Sequence, residues 1–125
     1  MRLRVLACTL WILTMASCVF GGEWEAWEAS AYSHNCTLSL GGERPAQRGA
    51  NGEWPVPNLT VAADPAIPFG TRLLISYDGI VTERMVGDRG RAIRGKKLDL
   101  FVSSCTAART WGRRMVWVKI LKEKS

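Results

Sequence analysis

The feature that most limits what this chain can fold into is its turn punctuation. From residue 59 onward, Asp64-Pro65, Pro68-Phe69-Gly70, Asp78-Gly79 and a glycine-spaced basic segment over 87–95 cut the sequence into short apolar pieces. Pieces of that length suit strands better than helices. Residues 59–63 predict a short strand. Residues 71–77 and 80–86 predict a hairpin across Asp78-Gly79, a pair that favours a tight turn. Residues 98–102 and 113–121 predict two further strands, the last with Val116, Val118 and Ile120 on one face. Upstream, residues 27–32 predict a first strand with Trp27, Ala29 and Ala31 on one face. One short helix fits over 106–111, capped by Ser103 or Ser104 and ended by Gly112. About six short strands with one short helix indicate a small β-barrel, with the strand order left open.

Ahead of the barrel, Arg2 and Arg4 precede an almost uniformly apolar run over 5–20, closed by Gly21-Gly22. This is the pattern of an export signal over residues 1–21. Met15-Ala16-Ser17-Cys18 also resembles a bacterial lipobox, in which Cys18 becomes the lipidated first residue; a conventional cut after Gly21 fits the same segment. The remaining divisions are a linker over 22–28, the domain over 29–122 and a polar tail over 123–125. Without Arg2 and Arg4 the chain keeps 15 basic residues against 11 acidic ones. So mild an excess in an exported protein points to an anionic wall polymer rather than to nucleic acid. The cysteines left in the domain, Cys36 and Cys105, predict one disulfide in an oxidising compartment. A single histidine, His34, and no Cys-x-x-Cys pair do not build a zinc cage, so no metal or other cofactor is expected.

Three aspartates stand out among the few acids. Asp99 lies inside the apolar strand Leu98-Asp99-Leu100-Phe101, where a carboxyl tends to keep its proton and can serve as a general acid. A purely structural carboxylate accepting loop N–H groups explains it equally well. Asp88, in Gly87-Asp88-Arg89-Gly90, and Asp64, before Pro65, both suit turn chemistry. Trp54 sits in a Gly/Pro-rich loop over 33–58, which makes it the tryptophan best placed to line a groove. Trp111 and Trp117 lie in regular elements among apolar neighbours and read as core.

The segments Val61-Ala62-Ala63-Asp64-Pro65, Ile67-Pro68-Phe69-Gly70-Thr71, Gly87-Asp88-Arg89-Gly90-Arg91-Ala92-Ile93-Arg94-Gly95, Leu98-Asp99-Leu100-Phe101 and Ala108-Arg109-Thr110-Trp111-Gly112-Arg113 together resemble the three-aspartate (3D) domain. The order and spacing agree from about residue 29 to 121. The resemblance implies a mainly β, six-stranded double-psi β-barrel, similar to the catalytic barrel of membrane-bound lytic transglycosylase A. It also implies cleavage of the β-1,4 bond between N-acetylmuramic acid and N-acetylglucosamine, leaving a 1,6-anhydro ring. Asp99 matches the family's catalytic aspartate, Asp88 the second aspartate lining the groove, and Asp64 the first, near the groove floor.

One carboxyl suffices for this reaction, because the substrate's own C6 hydroxyl is the nucleophile. An ordinary glycosidase needs two. The basic run Arg89, Arg91, Arg94, Lys96 and Lys97 would hold muramyl carboxylates, or else is a solvated face. Two positions depart from the family pattern. Arg91 stands where a second glycine is usual, so it is expected to strain the loop or narrow the groove. Gly49 stands near the place of a threonine hydroxyl. The expected partner is the peptidoglycan glycan strand, in the cell envelope, met by a monomer that touches the membrane only through its signal or a lipid. The competing reading is a non-catalytic wall-binding barrel.

Overall fold

The computed structural model describes residues 23–34 and 46–121. The signal, Cys18, Cys36 and the tail over 123–125 lie outside the described residues. Six strands close a barrel: β1 (Glu25–Tyr32), β2 (Thr60–Ala62), β3 (Arg72–Tyr77), β4 (Ile80–Asp88), β5 (Lys97–Phe101) and β6 (Arg114–Ile120). Among the described residues one helix, α1 (Cys105–Trp111), joins β5 to β6. Around the barrel the order is β1-β5-β2-β4-β3-β6. The β1/β5 and β2/β4 pairs are parallel and the rest antiparallel. This is the mainly β, double-psi architecture that the resemblance implied. Among the described residues no helix is long and apolar enough to cross a membrane.

Local chemistry explains the elements. Asp78 and Gly79 both take positive φ, 53° and 79°, which the β3–β4 hairpin turn requires to match the twist of its strands. Ser104 caps α1 by accepting the Ala107 N–H through its side chain, and Gly112, at φ 68°, ends it. Trp111 pins the helix to the barrel by donating its indole N–H to the Ala29 carbonyl at 3.0 Å. Cys105, at the start of α1, is disulfide-bonded.

The core follows the period-two pattern. Trp27, Ala29 and Ala31 point inward from β1, Leu98 and Leu100 from β5, Leu73 and Ile75 from β3, and Val116 and Val118 from β6. Three expectations are corrected. Strand β1 begins at Glu25, inside the segment read as a linker, because residues 25–29 pair with β6. Trp117 is not core. It falls between inward Val116 and Val118, so it must point outward, and it is 55% exposed. Ile120, expected on the inward face with them, is 38% exposed at the strand's end.

A sharp contrast in stability follows. Leu98→Ala, at a side chain 1% exposed, is expected to cost about 2–5 kcal/mol, whereas Trp117→Ser should stay within about 0.5 kcal/mol. Urea unfolding of both variants beside the parent checks this.

Candidate functional site

Side chains that alternate away from the core meet on the outer face of β1, β5, β2 and β4. In register they form a row: Ser30 opposite Asp99, Asp99 opposite Ala62, and Ala62 opposite Asp88. Two inter-strand spacings, about 10 Å between Cα atoms, therefore separate the two aspartates. Only the methyl group of Ala62 fills the floor between them. Above this row lies a cavity of about 300 Å³ lined by Tyr32, Ser33, His34, Gln47, Arg48, Pro55, Ala62, Asp88, Arg89, Gly90 and Asp99.

Asp99 accepts one hydrogen bond, from Ser30 Oγ to its Oδ1 at 2.9 Å. Burial pushes its carboxyl up to about 6, and the charge of Asp88 adds to the rise. The Ser30 hydrogen bond and Arg113 oppose it without winning. Asp88 is held differently. Its Oδ1 accepts the N–H groups of Ala50 at 2.9 Å and Arg89 at 2.8 Å, and its Oδ2 accepts the Tyr32 hydroxyl at 2.7 Å. Burial and this carboxylate together keep Tyr32 protonated by raising its pKa well above the ordinary phenol range. The two aspartates thus divide their roles. Asp88 accepts three hydrogen bonds, whereas Asp99, among the described residues, has an oxygen without a partner and a carboxyl pKa raised by burial.

Backbone contact docks the loop over 46–53 against the row. Asn51 N–H donates to the Gly87 carbonyl at 3.3 Å, and a Cβ on Gly49 would lie 2.7 Å from that same oxygen. Position 49 therefore has no room for a threonine in this backbone, which accounts for the missing hydroxyl. Arg91 is exposed, lies outside the positive-φ set and does not line the cavity. It neither strains the loop nor narrows the groove, contrary to expectation.

The other expected residues scatter. Asp64 does not reach the cavity floor. It closes a turn by accepting Ala66 N–H at 2.7 Å and clasps the 87–95 loop by accepting Gly95 N–H at 2.6 Å, and these bonds hold its pKa below the ordinary carboxylate value. Of the basic run, Arg89 alone lines the cavity. Its guanidinium is committed to the carbonyls of Ile67 (2.6 Å), Asp88 and Ala63, and it stacks over Phe69 at 4.1 Å. Arg94 donates to the Gly90 and Ile93 carbonyls, Lys96 pairs with Glu25 at 3.4 Å, and Lys97 is exposed. Trp54 stands beside the cavity rather than in its wall, with Arg48 over its ring at 4.9 Å and the His34 ring at 6.1 Å. Ser30, Tyr32, Ser33, Gln47 and Arg48 were not singled out by sequence reasoning. The alternation of β1 does put Ser30 and Tyr32 opposite Ala29 and Ala31, but no local signal pairs them with Asp99 and Asp88.

Carbon-13 NMR titration of Asp99 tests this electrostatic picture. Asp88→Asn removes a like charge and should move the Asp99 midpoint down from about 6; Ser30→Ala removes a bond to the carboxylate and should move it up. The same shift has a stability consequence. An acid whose folded pKa exceeds its unfolded value, 3.8, costs nothing below about pH 4 and its full penalty above about pH 6. Asp99→Asn should therefore stabilise the domain at neutral pH, by up to about 3 kcal/mol, with the gain fading as pH falls from 6 to 4. Denaturant midpoints across pH read this directly.

The 3D domain family matches residues 59–122. The cell wall-binding protein YocH of Bacillus subtilis (strain 168) is 42% identical over 67 residues, covering 52% of this chain and 22% of YocH. The crystal structure of MltA from Escherichia coli, described as a lytic transglycosylase fold, superposes with a TM-score of 0.54 at 25% identity, covering 65% of this chain and 29% of MltA. A papain inhibitor from Streptomyces matches at TM-score 0.56 and 18% identity, over 81% of this chain and 96% of its own, which shows a shared fold alone. The chain spans less than a quarter of the length of the curated relatives it matches. Strand β1, which lies before the matched segment, supplies Ser30 and Tyr32 and closes the barrel. With strands β2 to β6 and both cavity aspartates inside the matched residues, this chain belongs to the 3D domain family.

Proposed function

We propose that this chain is an exported peptidoglycan lytic transglycosylase that cleaves the bond from N-acetylmuramic acid to N-acetylglucosamine, with Asp99 as its single acid and base. The observation that carries the reading is the state of Asp99: a half-buried carboxyl on the cavity wall, its pKa raised to about 6, with one oxygen tied to Ser30 and Asp88 two strands away. A carboxyl that holds a fraction of its proton near neutral pH suits both donation and later acceptance.

Protonated Asp99 donates to the glycosidic oxygen as the C1–O bond breaks, and the N-acetylglucosamine leaves as an alcohol. The resulting carboxylate takes the proton from the muramyl C6 hydroxyl while that oxygen bonds to C1. Atoms balance without water: one C–O bond breaks, one forms, and Asp99 ends protonated. Asp88 supports Asp99 through its charge and orders the cavity wall through Tyr32 and Ala50. The likeness to MltA and to wall proteins supports peptidoglycan as substrate and the cell envelope as the site of action.

A second reading, a wall-binding barrel without turnover, is favoured by one observation: YocH is named for binding the cell wall. Digestion of purified peptidoglycan, read by mass spectrometry, separates them. Anhydro-muropeptides are expected from the chain starting at Gly22, with a loss of at least about a hundredfold in Asp99→Asn, the scale of a removed general acid. Reducing-end products would mean hydrolysis instead. Intact glycan that co-sediments with both proteins would establish the binding module.

A further inference from the structure

The cavity is polarised in a way the aspartates alone do not explain. Its acceptors, Asp88 and Asp99, sit on β4 and β5. The wall built by the end of β1 and the docked loop presents donors. Arg48 lines it and makes one hydrogen bond among the described residues, from Nη1 to the Gly52 carbonyl at 3.2 Å. The Trp54 ring beneath holds this guanidinium in place, leaving Nε and Nη2 free to donate. His34 accepts the Gln47 N–H at Nδ1, which leaves its Nε2 as the N–H of the neutral ring. Ser33 lines the same wall, is 6% exposed, and its buried hydroxyl has no hydrogen-bond partner among the described residues. The β1/β5 register places Ser30 beside Asp99, so Ser33 and His34 lie three and four residues further along, roughly 10–13 Å from it if extended. The cations expected to meet anionic substrate are meanwhile spent on carbonyls or on Glu25, or lie off the cavity wall.

We infer that the Arg48–His34–Ser33 wall is an anion subsite, and that it selects glycans carrying a carboxylate on the muramyl residue over neutral glycans. This rests on the glycan reading above. A planar guanidinium stacked on an indole is preorganised to take a carboxylate in bidentate fashion, at the distance from Asp99 where the neighbouring part of a bound strand would lie. The carboxylate comes either from the free lactyl group of a peptide-stripped strand or from an attached stem peptide.

The test measures binding calorimetrically in the Asp99→Asn background of the full chain, which prevents turnover. The probes are chitotetraose, a peptide-stripped muramyl tetrasaccharide, the same tetrasaccharide with its lactyl carboxyls converted to methylamides, and a peptide-bearing tetrasaccharide. A carboxylate-bearing probe should bind at least tenfold tighter than chitotetraose and the methylamide. Arg48→Gln should collapse that ratio to within twofold, Arg48→Lys should keep part of it, and Lys119→Gln, an equal loss of charge on β6, should leave it unchanged. Preference for the stripped or for the peptide-bearing probe identifies which carboxylate is read. An unchanged ratio in Arg48→Gln, or no preference in the parent, overturns the subsite while leaving glycan binding in place. Failure of the parent to bind every probe overturns the glycan reading and the subsite together.

Discussion

The carboxylate of Asp88 ties the end of β1 and the docked loop to its own turn. It accepts the Tyr32 hydroxyl from the end of β1, the Ala50 N–H from the docked loop and the Arg89 N–H from its own turn. Hydrogen bonds to a charged acceptor contribute about 1.5–3 kcal/mol each, so this one side chain can order the whole rim of the cavity. The close approach of Gly49 to the Gly87 carbonyl completes the same clasp through backbone, because only a residue without Cβ fits there. Remove that clasp and the donors on the loop, Arg48 above all, lose their position relative to Asp99.

The barrel keeps its core and its cavity on opposite faces of the same strands. Leu98 and Leu100 fill the interior, and Asp99 between them reaches the outside. Ala29 and Ala31 do the same around Ser30. The core can therefore be packed for stability without constraining the carboxyl, and the carboxyl can carry an unfavourable proton affinity without opening the core. Ala62, small and 2% exposed, fits both demands: it belongs to the buried centre of the sheet and leaves free space between the two acids.

Much of the fold was readable along the chain. Alternation found the strands, Asp78-Gly79 marked the hairpin, and Ser104 with Gly112 bounded the helix to within a residue or two. Two errors were instructive. The start of β1 looked like a linker because its acids mask a pairing with β6 that only the fold supplies. Trp117 looked like core because it lies in a regular element among apolar neighbours, although parity decides direction. Asp99 was visible as an acid in apolar company, Asp88 only as a turn residue, and Asp64 is a loop clasp.

What the sequence determined by itself was local: period, turn conformation, capping, and the oddity of a carboxyl inside an apolar strand. These depend on a residue and its near neighbours. Only the tertiary structure decided which side chains share a cavity. The row Ser30–Asp99–Ala62–Asp88 exists because β1 and β5, and β2 and β4, pair in parallel across 69 and 26 residues of chain. A parallel register joins segments that no turn connects, so nothing in either strand alone announces its partner. The same is true of Arg48, an ordinary exposed arginine by its neighbours, which backbone docking onto Gly87 brings to the rim of the cavity.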